Sequence, residues 1–230
     1  FLTAGLTAGE TLTIGSGITV HSGAGGQGGV LQANSTILNQ GTIAADASGK
    51  TVTLTGSGLT NAGTLAAQSA GILALYGGYS TARLGTLVND GSGTINLGGV
   101  LDNSGTTLTL TASTGTLDLT GGTIQGGTVR STGGGGLAVA AFAGGTLDSV
   151  TLDTDASVSR GATLTAVNGL TLADGHRVLL NSDDNISRLS FTGTSQTLGG
   201  SGEVLFGGTN ANNFLTAGLT AGETLTIGSG

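Results

Sequence analysis

Gly-Thr pairs recur at Gly41, Gly63, Gly85, Gly105, Gly127 and Gly145, in steps of 22, 22, 20, 22 and 18 along the chain. Such a step, about 21 residues on average, is too short for a propeller blade and matches one coil of a parallel β-helix, in which three short faces are separated by turns. Between the markers the chain alternates apolar and polar residues, as in Thr51 to Thr55 (TVTLT), Thr107 to Thr111 (TLTLT) and Gly115 to Leu119 (GTLDL). Period two is the strand period. Thr, Val, Ile and Gly dominate, no apolar i, i+3, i+4, i+7 face persists, and capping patterns are lacking, so almost no helix is expected.

A second motif, [IL]-x-N-x-G-[ST], occurs at 37–42, 59–64, 87–92 and 101–106. Its starts step by 22, 28 and 14, which puts the third copy on a different face of the coil. Each residue type has a task in such a coil. Leu, Ile and Val point inward and stack on the rung above and below. Gly and Asn make the corners, where left-handed backbone is needed, and stacked Asn amides can hydrogen-bond along the axis. The lack of Pro fits strands paired on both sides. The period blurs around 133–145 and 176–190, which leaves a distorted rung open in either stretch. Although 47 of 230 residues are Gly, the mean hydropathy of +0.28 and net charge of only −7 exclude a disordered linker.

Residues 1–17, FLTAGLTAGETLTIGSG, return unchanged as residues 214–230. The chain therefore reads as one full 213-residue unit, 1–213, followed by the start of an identical next one, 214–230, within a tandem array that shares one core. About ten rungs of roughly 21 residues make one unit, and with a rung spacing of about 4.8 Å each unit spans roughly 50 Å. The duplicated segment is the expected repeat junction, carried by Phe1, Leu2, Leu6, Leu12 and Ile14 and by their equivalents Phe214, Leu215, Leu219, Leu225 and Ile227. Both copies are expected to form the same rung, the second stacked on Leu205 and Phe206. Neighbouring identical repeats stacked end to end are thus the first expected partners, since an open strand edge invites pairing.

The phrases GTL, GTI, TLTL, LDNSG, GTLDLTGGTIQGGTV and GGTLDSVTLD resemble the passenger regions of large bacterial exoproteins of the filamentous-haemagglutinin and autotransporter-adhesin type. The resemblance covers essentially the whole chain and is one of grammar rather than of a catalytic motif. It implies an all-β fold, a right-handed parallel β-helix, displayed outside a Gram-negative cell and serving in adhesion, fibre or biofilm structure. Neither an amino-terminal secretion module nor a carboxy-terminal barrel lies in these residues, and secretion signals are expected elsewhere.

Composition bears on partners. Six Lys and Arg against thirteen Asp and Glu, with a pI near 4.4, leave no basic stripe for phosphates, so nucleic acid is not expected. No apolar run approaches the roughly 18 residues of a membrane helix, and insertion of this segment into a membrane is not expected. The absence of Cys removes thiolate metal sites and is compatible with a secreted protein.

The densest ionisable patch is Asp174, His176, Arg177, Asp183, Asp184 and Arg188. Two carboxylates with a His or Arg are the minimum for acid/base work on a sugar, which makes a carbohydrate-binding or carbohydrate-active β-helix the alternative reading. Turn chemistry at 181–185 argues instead for a solvated loop. Tyr76 and Tyr79 are the one aromatic pair suited to stack on a sugar or a partner, and with Asp183 and Asp184 they are the candidate ligand contacts. Surface glycans and lateral copies of the same fibre are the further partners considered.

Gly-rich runs at 22–29 and 133–136 lack the helix and Lys of a phosphate loop and read as corners. Calcium β-roll, ice-binding and glycosylation readings lack the Asp, the rung-spaced Thr ranks or the context they require. No catalytic residue, cofactor or metal ligand is expected.

Overall fold

The structure, a computed structural model, describes residues 2–4, 9–23, 25, 28–33 and 36–228, the first three as backbone only. It is an all-β parallel solenoid of about nine turns of about 22 residues. Every strand pairing recorded along the stack is parallel, and three faces follow one another in each coil.

The first face is a ten-stranded sheet that runs Leu2–Ala4, Gly29–Ala33, Thr51–Thr55, Ile72–Leu75, Thr94–Leu97, Thr116–Leu119, Gly136–Val139, Ala156–Val158, Arg177–Ser182, Glu203–Gly208. The second begins with Thr11–Ile14, Thr36–Asn39 and Gly58–Asn61, resumes at Gly78–Ser80, Val100–Asp102 and Thr123–Gln125, and closes with Ser187–Gly193 and Asn213–Leu219. The third runs from Thr19–His21 through Thr42–Ala45, Thr64–Ala67 and Thr86–Asn89 to Thr107–Thr111 and Thr128–Thr132, and ends in Gln196–Gly200 and Leu225–Ile227. The long strands Gly144–Asp153 and Thr163–Leu172 serve the second face with their first halves and the third with their last residues.

Register shows why alternation suffices to specify this fold. On the first face Leu31, Leu54, Leu75, Leu97, Leu119, Val139, Val158, Leu180 and Phe206 lie in one column, each the direct partner of the next. All but the terminal Phe206 are buried. On the second face the column is Tyr79, Leu101, Ile124, Leu147, Ala166, Phe191, Ala217. Phe191, fully buried, thus has an alanine above and below it. Rungs only about 4.8 Å apart leave little axial room, and small neighbours accommodate the Phe191 ring.

The corners explain the motifs. Gly41, Gly63, Gly85, Gly105 and Gly127 all stand between the second and third faces, whereas Gly145 lies within a strand, where the marker step shrinks to 18. A Cβ at Gly63 would stand 2.0 Å from the Gly41 carbonyl oxygen of the previous coil, and at Gly127 2.1 Å from that of Asn103. Only glycine lets the backbones stack so closely there.

Asn39, Asn61 and Asn103 end second-face strands or follow them directly, while Asn89 ends a third-face strand, the face change expected for the motif at 87–92. The amide ladder is present but short. Asn39 Nδ2 donates to Asn61 Oδ1 (2.8 Å), and Asn61 Nδ2 donates to the Leu84 (2.9 Å) and Thr86 (3.2 Å) carbonyls. The one-turn helix Thr81–Leu84, the one helix among the described residues, occupies this corner in the next coil and interrupts the row.

The main distortion of the coil starts at the end of the first stretch of blurred period, 133–145, and runs up to the second, 176–190. From 144 to 172 the corner between the second and third faces flattens into continuous strand, with left-handed Ser149 (φ 57°) and Asn168 (φ 57°) as the pivots.

Candidate functional site

The two tyrosines part company. Tyr76 is half exposed at a corner, while Tyr79 is buried, and its hydroxyl donates to the Leu54 carbonyl at 2.9 Å. Burial raises the Tyr79 phenol well above its ordinary range. Tyr79 is therefore core, a correction to its reading as a ligand contact. The reason is parity: burial alternates without a break from Leu75 to Tyr79, so residues three apart face opposite ways and Tyr79 falls on the inner side with Leu75.

Asp183 and Asp184 lie on an exposed loop at the far end of the molecule, five coils from Tyr76 along the first and second faces. Asp184 pairs with Arg160 (2.7 Å), whose guanidinium lies 5.1 Å from the Phe142 ring centroid. The Asp183 carbonyl accepts from Thr209 Oγ1 (3.1 Å) and from Asn210 Nδ2. The patch from 174 to 188 is thus split, with His176 and Arg177 at one end of the strand Arg177–Ser182 and the two aspartates beyond the other.

His176 belongs to an ion-pair ladder that climbs one edge of the solenoid. Arg130 Nε meets Asp153 Oδ2 at 2.5 Å. His176 stands between Asp153 (3.3 Å) and Asp155 (3.3 Å), and Arg177 reaches Asp155 (3.3 Å) and Glu203 (3.6 Å). The Arg130 hydrogen bond, with His176 beyond it, holds the Asp153 carboxyl below its usual range. Both imidazole nitrogens are engaged, so this is a set of surface pairs joining coils rather than a carboxylate pair poised on a substrate. Its signal in the sequence is a one-coil spacing: 130, 153 and 176 are 23 apart.

Asp90 plays a comparable part within one corner. Its carboxylate accepts from the backbone of Ser69 (2.7 Å), from the Ser92 hydroxyl (2.7 Å) and backbone (2.9 Å) and from Gly93 (3.1 Å), which lowers its pKa.

The flattened corner at 144–172 opens a shallow groove of about 610 Å³, whose lining mixes Ser149, Thr151, Asn168 and Gln196 with Val150 and Leu170. Gln196 spans it, accepting from the Gly169 backbone (3.1 Å) and donating to the Thr192 carbonyl (2.8 Å). Among the described residues no three His, Asp or Glu side chains gather to hold a metal, and no helix is long and apolar enough to cross a membrane.

Large exposed apolar side chains among the described residues are Ile18, Tyr76, Val100, Phe142 and Ile186 along the stack and four more at its last coil. In the last coil Leu205, Phe206, Phe214 and Ile227 are exposed, Phe206 by 58% and Ile227 by 62%. The junction residues Leu215, Leu219 and Leu225 pack partly against the core from the same coil. At the other end Ile14 is buried and Leu12 packs against the core. Phe1 and Leu6 lie outside the described residues, and Leu2 is placed by its backbone, paired with Leu31.

The two copies of the junction do not occupy equivalent faces. Leu2–Ala4 is on the first face and Thr11–Ile14 on the second, whereas Asn213–Leu219 is on the second and Leu225–Ile227 on the third. The second copy stacks on Ser187–Gly193 and Gln196–Gly200, with Leu215 beside Leu189 and Ile227 beside Leu198, instead of on Leu205 and Phe206. Chain connectivity dictates this: the strand that holds Leu205 and Phe206 already fills the first face of the last coil.

No protein-family model, curated protein or solved structure matches this chain.

Proposed function

We propose that the chain is a structural, non-catalytic segment of an extracellular fibre or adhesin stalk, built from identical solenoid repeats on the surface of a Gram-negative bacterium, where it holds a terminus or partner away from the cell or forms part of a matrix. The observation that carries the reading is the 17-residue segment that returns unchanged 213 residues later in a chain whose first face is one continuous ten-stranded parallel sheet. Identical units of such a stack can share one core. Stiffness follows from the stack, because bending it opens several rungs at once.

The side surface supports a spacer rather than an enzyme. The charged patch is divided between two corners, and His176, Arg177 and Asp184 are each paired to a charge on another coil. Glycans and laterally packed copies remain secondary partners, with exposed Tyr76 as an aromatic contact on the side surface.

Electron microscopy of a multi-repeat chain tests the reading. Thin rods with an axial spacing of about 4.8 Å are expected. Compact, separate particles would overturn it, and new reducing ends released from polysaccharides would favour the carbohydrate-active alternative.

A further inference from the structure

The duplicated segment is seen twice in this chain, once paired on each edge. As Leu2–Ala4 and Thr11–Ile14 it pairs toward the following coil, with Gly29–Ala33 and Thr36–Asn39. As residues 215–217 and 225–227 it pairs toward the preceding coil, with Ser187–Gly193 and Gln196–Gly200. The two sets of partners use opposite edges of the same strands, so both can be engaged together. The seam between repeats is thereby defined almost completely.

From these pairings we infer that the exposed end of the last coil takes residues 18–39 of a second copy, and that successive repeats are turned by one third of a coil. Leu2 sits on the first face of coil one and its equivalent Leu215 on the second face of coil ten. Thr11–Ile14 and its equivalent move in the same way from the second face to the third. Two separate strands therefore report the same advance of nine coils and one face. Over 213 residues that is about 22.8 residues per coil, and with rungs about 4.8 Å apart the rise is about 45 Å per repeat.

The next strand of the array, Thr19–His21 of the following copy, then falls on the first face beside Glu203–Gly208, where Val20 adds an inward aliphatic to the column ending in Val204. It is reached by the four residues equivalent to 15–18, the length of the corners that precede Ile72, Thr94, Thr116 and Arg177 on this same face. Gly29–Ala33 of that copy covers Asn213–Leu219, and Thr36–Asn39 covers Leu225–Ile227. By the existing register Ile37 and Asn39 lie over Leu225 and Ile227. Only the pairing of Thr19–His21 with Glu203–Gly208 is new to the seam. Any surface feature of one repeat, Tyr76 or the ion-pair ladder, then recurs on each of three faces in turn and returns to its own after three repeats, apart from the solenoid's own twist.

This inference rests on the continuous-rod reading, and the test separates the two. A two-repeat chain, residues 1–213 followed by 1–230, is prepared with cysteine pairs at outward positions, the chain having no cysteine of its own. Thr197→Cys in the first copy with Thr13→Cys in the second is expected to join through a short cross-linker, as is Leu205→Cys with Thr19→Cys or His21→Cys. Ser190→Cys with Thr13→Cys is expected to remain unjoined. Joining of the last pair, or failure of the first in molecules that micrographs show to be rods, would overturn the one-third turn and leave the rod standing. Compact particles without seam cross-links would overturn both.

Discussion

Phe191 offers a quantitative test of how the narrow core is packed. The ring is fully buried, with Ala166 directly below it and Ala217 above, and Ala166 rests in turn on Leu147. Phe191→Ala removes a buried ring from a site closed on both sides and is expected to cost about 3–5 kcal/mol. Ala166→Leu pushes three extra carbons into a fully buried position between Leu147 and Phe191, at about 1–3 kcal/mol. Independent effects would sum to about 4–8 kcal/mol. Because the two side chains are axial neighbours, the added leucine instead fills part of the space left by the ring, and the double variant should lose at least about 1 kcal/mol less than the sum. Urea unfolding followed by far-ultraviolet circular dichroism of the four proteins, at unchanged slope, gives the coupling. Additivity to within about 0.5 kcal/mol would mean that side chains in successive rungs do not share space, and the column description of the core would be wrong.

Asn61→Ala should cost about 2–4 kcal/mol, since it leaves Asn39 Nδ2 and the Leu84 and Thr86 carbonyls without their amide partner. A thermal or urea midpoint equal to that of the parent would refute the ladder's contribution. Gly63→Ala should destabilise by about 3 kcal/mol or more, whereas Gly121→Ala, with φ of 103° and no atom within 4 Å, should cost about 1 kcal/mol; paired denaturation curves rank the two, and the reverse order would contradict the close coil approach. Tyr79 has a phenol pKa raised by burial, so its stabilising effect is complete below the ordinary tyrosine range and is lost as pH rises beyond it. Stability measured against pH should fall in alkali for the parent and less for Tyr79→Phe. Equal alkaline losses would show that the phenol is not the cause.

The coil was legible because its corners and its core are written in different residues. Glycines such as Gly41 and Gly63 recur where backbones touch, and Thr-Leu alternation fills what lies between. Even the out-of-step motif at Leu87 pointed to its true face. Tyr79 was not legible. Alternation in fact runs unbroken from buried Leu75 through Gly77 to buried Tyr79, but two consecutive glycines carry no side chain to show it, and the pair of tyrosines reads as one surface feature. The ladder through Arg130, Asp153 and His176 was visible in principle as charges one coil apart, yet its residues are scattered over the corner and only the coil brings them together. The face occupied by the second junction copy lay outside local sequence altogether. An identical strand fits any of the three faces, and which one it takes depends on the summed length of every corner before it.

Those corners vary more than anything else in the molecule. Successive members of the inward column stand 20 and 19 apart in the sequence from Leu119 to Val139 to Val158, yet 26 apart from Leu180 to Phe206, and the column runs on regardless. One corner even holds a helical turn, Thr81–Leu84. Insertions of a few residues there leave strand pairing untouched, so the outline of the rod can diversify while its core does not. Each bend can thus be remodelled on its own, one at a time, without refolding the coil that carries it.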